Sequence, residues 1–299
     1  MVYFCFGGVP RTLRRIESRK MDSGTMDRKL LTIQDISCCG QCSLTVALPV
    51  ISACGIETAI LPSAVLSCHT AFKNYTRRDL SGDFAAIERS WTENGLKFDA
   101  FLTGYVCEDQ ISPILDIMRN CANPGALRIV DPVMGDHGKM YAGFAADFPQ
   151  KLAKLCDGAD YILPNLTEAA LLLGEEFRPD CRDQKYYEAL VKKLHTLGAK
   201  NVILTGVAFD DDRIGCAVSD GKTIAFYFNE RLPHCGHGTG DLFAGVFAGA
   251  LMRGKSALRA AEIAADMVCL ALRATPAEHW YGVCFEKVIP DLAAMLEQK

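Results

Sequence analysis

From Lys29 onward, short apolar runs bounded by turn residues alternate with longer segments whose apolar positions recur every three or four residues. The short runs predict buried strands over Leu30–Gln34, Glu57–Leu61, Ala100–Gly104, Arg128–Val130, Tyr161–Leu163 and Val202–Thr205. The longer segments predict helices over Leu44–Ala53, Ile111–Asn120, Phe148–Cys156, Glu168–Leu173 and Tyr186–Leu197. Strand and helix in alternation build βαβ units, hence an α/β fold with a mostly parallel sheet covered on both faces. Ile214–Val218 and Thr223–Phe228, with Asp220-Gly221 between them, predict an antiparallel hairpin. Three helices then follow, near Asp241–Met252, Ala257–Ala271 and Pro290–Glu297. No internal repeat or linker divides residues 29–299, which read as one domain. Residues 1–28 carry six Arg or Lys without periodicity and read as a disordered tail or a start placed too early.

Composition narrows the function classes. Apolar residues make up 49% and charged residues 23% of the 299, values of a globular chain with a sizeable core. A net charge of -4 argues against a nucleic-acid or anionic-membrane partner. No apolar run reaches the roughly 18 residues of a membrane span. The 14 cysteines are scattered, without a secretory signal, which reads as free thiols in a reducing cytoplasm. Cys39 and Cys42 form a lone C-x-x-C beside Cys38, with no second pair at zinc-ligand spacing, so small-residue packing is the expected role.

Chemistry concentrates at predicted strand ends. Gly236-His237-Gly238-Thr239-Gly240-Asp241 opens an apolar helix, where backbone N–H groups and the helix dipole make an anion site suited to phosphate. Asp241 either caps that helix or takes a proton from an attacking hydroxyl. Gly249 to Ser256 spells a phosphate-loop pattern, but Gly249 falls inside the predicted helix and Gly254 at its end, so no such loop is expected. Asp131-Pro132-Val133-Met134-Gly135-Asp136 leaves a strand and is either a turn or a pair of carboxylates for a cation. Pro164-Asn165-Leu166-Thr167-Glu168 also follows a strand, with Thr167 a candidate helix start and Glu168 a first-turn acid. His69, Thr70 and Tyr105 sit after strands and are unremarkable by themselves. Several carboxylates and one anion hole on one side of a sheet form a phosphoryl-transfer constellation.

Taken in order and spacing, these motifs resemble the ribokinase superfamily and, within it, the pyridoxal kinases. The resemblance runs from about Lys29 to the C-terminus and rests on Ile33-Gln34, Ser67-Cys68-His69-Thr70, Thr103-Gly104-Tyr105, the Asp131–Asp136 stretch, Tyr141, Pro164-Asn165 with Glu168, and Gly238-Thr239-Gly240-Asp241-Leu242-Phe243. It implies a three-layer α/β/α sandwich, ATP as cosubstrate, magnesium, a monovalent cation such as potassium, and a homodimer. Asp241 would be the base acting on the 5′-hydroxymethyl group of a vitamin B6 compound, with the amides of Gly238, Thr239 and Gly240 stabilising the transferring phosphoryl. Asn165 and Glu168 would organise magnesium and phosphates, Asp131, Asp136 and Tyr141 would lie by phosphates and cations, and Thr205 near the nucleotide. Asp131 and Glu168 are the implied metal carboxylates. Asp35, His69, Thr70 and Tyr105 would face the substrate.

Three positions depart from the family's usual text. Asp35 stands where serine commonly follows Ile-Gln, so its carboxylate is expected to pair with a protonated pyridinium. Cys38-Cys39-Gly40-Gln41-Cys42 replaces the usual loop sequence, and Leu163 replaces a threonine before Pro-Asn. The competing readings are a hydroxymethylpyrimidine kinase of thiamine synthesis, which tends to carry Cys in place of Asp241, a sugar or nucleoside kinase, and a non-catalytic B6-binding protein on the same scaffold.

Overall fold

The computed structural model describes residues 28–233 and 236–298, so the expected N-terminal extension lies outside the described residues save for Arg28. β1 (Lys29–Ser37), α1 (Leu44–Ala53), β2 (Glu57–Leu66) and the short β3 (Arg77–Asp79) open the chain. α2 (Phe84–Glu93), β4 (Phe98–Thr103), α3 (Ile111–Asn120) and β5 (Ala122–Val130) follow. A small ribbon of β6 (Gly135–Asp136) and β7 (Lys139–Met140) precedes α4 (Phe148–Cys156), β8 (Tyr161–Ile162), α5 (Leu166–Leu173) and α6 (Gln184–Leu194). β9 (Asn201–Val207), β10 (Arg213–Ser219) and β11 (Ile224–Glu230) complete the sheet, and α7 (Thr239–Met252), α8 (Ala257–Ala274) and α9 (Ile289–Glu297) close the chain.

The nine-stranded sheet runs β11-β10-β9-β8-β5-β4-β1-β2-β3. Its centre, β2 through β9, is parallel, while β3, β10 and β11 pair antiparallel at the two edges. Alternation along each strand feeds two cores. Leu30, Ala100, Leu102, Ile129 and Ile203 pack with α1, α7, α8 and α9 on one face. Leu31, Ile33, Phe101, Val130 and Leu204 pack with α3, α4 and α6 on the other. This is the expected three-layer α/β/α architecture, hairpin included.

The expected helices over residues 44–53, 111–120 and 148–156 match in full. α5 begins at Leu166, two residues before the expected start, because the cap is Asn165: its Oδ1 accepts from the Glu168 N–H at 2.9 Å and the Glu168 Oε2 accepts from the Asn165 N–H at 2.9 Å. Thr167 is therefore inside the helix, its hydroxyl accepting from Gly138 N–H at 2.9 Å. The phosphate-loop lookalike is absent in fact: Gly249 is buried in α7, where a Cβ would overlap Cys54, and Gly254 follows the helix at φ 82° with Lys255 N–H reaching back to the Ala250 carbonyl.

Candidate active site

Strands β1, β4, β5, β8 and β9 are parallel, so the segments after their C-terminal ends gather on one side of the sheet, where an open α/β fold takes its ligands. α7 begins on that side. Its N-cap, Gly238, has φ 80°, and a Cβ there would overlap the Gln41 carbonyl oxygen. Gly240 differs: a Cβ there would meet no protein atom within 4 Å, so packing does not demand glycine and the space over this turn is open. Thr239 Oγ1 donates to the Gly236 carbonyl at 3.1 Å, which ties the loop to the first turn and leaves the leading helix N–H groups aimed outward.

Asp241 stands in that first turn. Burial pushes its carboxyl up to about 6, aided by the like charge of Asp35 and opposed by a backbone hydrogen bond from Ser43. Ser43 also donates its hydroxyl to Asp35 Oδ1 at 2.5 Å, so one residue holds both acids. It does so with φ 54°, an uncommon conformation for a side-chain-bearing residue. Ser37 Oγ donates to the other Asp35 oxygen at 3.2 Å. Asp35 is only 5% exposed, and burial raises its pKa above the ordinary carboxylate range. Cys42, between these acids, is pushed up to about 12 by burial and by Asp241, so it is a neutral thiol. The twelve cysteines among the described residues are all unpaired.

A second group of carboxylates lies across the site. Asp131, just past β5, donates its N–H to the Thr103 carbonyl at 3.1 Å and is buried, and burial with the like charges of Glu168 and Asp241 raises its pKa well above the usual range. Both Glu168 oxygens already accept backbone N–H groups, from Met134 at 3.2 Å and Asn165 at 2.9 Å. Burial nevertheless pushes Glu168 up to about 8. Asn165 Nδ2 donates to the Gly135 carbonyl at 3.0 Å, tying the start of α5 to β6. Asp136 is exposed and accepts from its neighbour His137 N–H at 2.7 Å. The Tyr141 hydroxyl is raised by burial and by Glu168, Asp136, Asp241 and Asp131 together, which places it within the field of all four acids. Thr205 on β9 bridges Asn165, with its N–H on the Pro164 carbonyl at 2.9 Å.

Because the folded chain holds protons on Glu168, Asp131 and Asp241 that the unfolded chain releases, stability falls as pH rises. For Glu168 the window runs from about 5 to about 8, with a slope of up to ~1.4 kcal/mol per pH unit. Thermal unfolding of the ligand-free protein at pH 5.5 and pH 8 is expected to show a lower midpoint at the higher pH and a smaller drop in Glu168→Gln. An equal drop in both proteins would sink that assignment.

The structure brings Asp35, Asp131, Asn165, Glu168 and Asp241 together and puts Tyr105 within the field of Asp35. Tyr105 follows β4 with its phenol pushed up to about 12 by burial, and Thr70 is exposed on the loop after β2. His69 is fastened within the loop after β2. Its Nε2 meets the Tyr281 carbonyl at 2.9 Å and its Nδ1 accepts from Ala71 N–H at 3.2 Å. Sequence reading missed Ser37, Ser43 and Arg77. Only the Ser43 position before a helix carried a signal.

A parallel sheet with a phosphate-suited helix start, a carboxyl raised by burial beside it and further buried acids is an arrangement suited to a small-molecule kinase. Residues 64–283 match the family model described as phosphomethylpyrimidine kinase. The Lactobacillus plantarum pyridoxal kinase structure is similar at 32% identity with a TM-score of 0.83, covering 90% of this chain and 98% of that one. A Bacteroides thetaiotaomicron structure, provisionally described as a phosphomethylpyrimidine kinase and crystallised with pyridoxal, is similar at 30% identity with a TM-score of 0.85, covering 90% and 96%. The Dictyostelium discoideum pyridoxal kinase is 28% identical over 252 residues, 75% of this chain and 78% of its own length. The chain belongs to the phosphomethylpyrimidine kinase family and, within it, to the pyridoxal kinases.

Proposed function

We propose that this chain transfers the terminal phosphoryl of ATP to the 5′-hydroxymethyl oxygen of pyridoxal, pyridoxine or pyridoxamine. The observation that carries this is Asp241, a buried carboxylate pushed up to about 6 and set in the first turn of the helix that forms the anion site. Asp241 takes the hydroxyl proton as the oxygen attacks the terminal phosphorus. The bond to the bridging oxygen breaks, and ADP leaves with the electron pair. The N–H groups of Gly238, Thr239 and Gly240 face the oxygens on which negative charge collects. Asn165 and Thr205 hold the nucleotide side, and Asp35, Thr70 and Tyr105 the vitamer side.

Magnesium fits as an ion carried in on the nucleotide. Among the described residues no cluster of three or more His, Cys, Asp or Glu could hold a metal unaided. Asp131 and Glu168, held protonated by burial in the ligand-free protein, would give up those protons to the incoming cation and then face it as carboxylates, with Asp136 at the rim, while Asn165 positions the start of α5. When bound, the ion neutralises phosphate charge. A monovalent cation, potassium by expectation, offsets the remaining acid charge in the same cluster. The reading includes the family's homodimer and a cytoplasmic setting, and among the described residues no helix is long and apolar enough to cross a membrane.

The test is ADP release with magnesium and potassium, offering the three vitamers and hydroxymethylpyrimidine separately. Turnover on a vitamer supports the reading, and turnover on the pyrimidine alone moves the chain to thiamine synthesis. In the same assay Asp35→Ser is expected to lower kcat/KM for vitamers by ~10-fold, the loss of one charged hydrogen bond to the ring nitrogen, and to shift the preference among them. Unchanged values and unchanged preference would remove Asp35 from the substrate site.

A further inference from the structure

The outer edge of the sheet places a cation opposite Asp35. β3 pairs antiparallel with β2 so that Arg77 stands across from Leu66, and Leu66 stands across from Ser37 of β1. Cross-strand partners share a face, so Arg77, Leu66 and Ser37 project to the same side. Asp35 joins them, as its hydrogen bond from Ser37 Oγ at 3.2 Å shows. Two strand spacings, ~10 Å, separate the backbones of β1 and β3, enough for one aromatic ring with a hydrogen bond at each end.

Arg77 is held from one side. Its Nη2 donates to Asp79 Oδ2 at 2.6 Å and to Cys107 Sγ at 2.9 Å, while Nε and Nη1 make no hydrogen bond among the described residues. Asp79 is itself engaged by Ser81 through both the backbone N–H, at 2.8 Å, and the hydroxyl. Burial outweighs every other influence on Asp35, but the Arg77 charge acts on it in the opposite sense, and acts likewise on Tyr105 and Cys107. The guanidinium therefore lies within the field of two candidate substrate residues.

A B6 vitamer carries its ring nitrogen, its 3-oxygen and its 5-hydroxymethyl arm at alternate ring positions. In water near neutral pH the proton sits on the nitrogen and the 3-oxygen is a phenolate, so the ring is a zwitterion. Hydroxymethylpyrimidine has an uncharged ring nitrogen where the vitamers carry that oxygen. Ser43 ties Asp35 to Asp241, so a ring whose nitrogen rests on Asp35 directs its 5-arm toward the base. Resting on the function proposed above, we infer that Arg77 is a specificity-determining residue whose guanidinium receives the phenolate oxygen of the zwitterion while Asp35 receives the protonated nitrogen. The site selects the zwitterion, and with it the vitamers over the pyrimidine.

The probes are pyridoxine and 3-deoxypyridoxine, compared by kcat/KM in the unmodified protein, Arg77→Met and Arg77→Lys. A hydrogen bond between charged groups corresponds to roughly 10–100-fold, so that preference for pyridoxine is expected in the unmodified protein. In Arg77→Met the ratio falls to within about threefold of unity, through a raised KM for pyridoxine with kcat little changed, and Arg77→Lys keeps part of it. Binding to Asp241→Asn gives a second readout that needs no turnover. Bound pyridoxine shows the zwitterion's long-wavelength absorption band, and adding Arg77→Met removes it. A preference and a band that both survive in Arg77→Met would reduce Arg77 to a surface partner of Asp79 and overturn the inference. If the unmodified protein phosphorylates no vitamer, the proposed function fails, and the band alone then decides: present and Arg77-dependent supports the inference, absent or Arg77-independent overturns it.

Discussion

Asp241→Asn is expected to lower kcat on pyridoxal by ~10²–10⁴-fold while the KM for ATP stays within about threefold. Asparagine keeps the size of the side chain and its place in the first turn of α7, so the nucleotide site persists while the proton acceptor is lost. The pH profile separates this from a general loss of structure. With Asp241 pushed up to about 6, kcat/KM of the unmodified protein falls tenfold per pH unit on the acid side of that value, because the protonated acid cannot accept the hydroxyl proton. The asparagine variant loses that limb. Single-turnover phosphoryl transfer from pH 5 to pH 8 in both proteins is the measurement. An acid limb that persists unchanged in Asp241→Asn would assign the titration to another group, and Asp35, also raised by burial and held by the same Ser43, is the neighbour to test next.

The second large effect is at Gly238. Its φ of 80° and the Gln41 carbonyl, which a Cβ would overlap, leave no room for a side chain. Gly238→Ala must therefore move either the head of α7 or the 38–43 loop, and either movement spoils the aim of the N–H groups at the phosphoryl. A loss of ~10²-fold or more in kcat is expected, together with ~1–3 kcal/mol of stability from the strained backbone. Gly240→Ala is the control, since its Cβ meets no protein atom. It should keep or slightly raise the thermal midpoint, as alanine favours helix, yet lower activity because the methyl group enters ligand space. Equal midpoints for the two variants would show that the loop packing around Gly238 is not what the site depends on.

Much of this molecule was legible in the chain alone. Apolar patterning determined α1, α3 and α4 to the residue and located the parallel core, because each helix buries one apolar stripe on the sheet and the central strands are buried as short apolar runs. α2 escaped notice although Phe84, Ile87 and Trp91 stand at helical spacing, because the stripe is only three residues long and only Phe84 is fully buried. β3 escaped because all three of its residues, Arg77, Arg78 and Asp79, are exposed, and only pairing with β2 makes them a strand. The residue types at the site were also readable: glycines and an acid opening a helix, and acids after strands. What only the tertiary structure decided is how those groups influence one another. Ser43 joins Asp35 to Asp241, Glu168 spends both oxygens on backbone N–H groups, and His69 fastens the loop after β2 to the Tyr281 carbonyl. A carboxylate's basicity depends on burial and on charges brought near it by distant parts of the chain. Local sequence therefore names the acids, and the fold determines which of them can accept a proton.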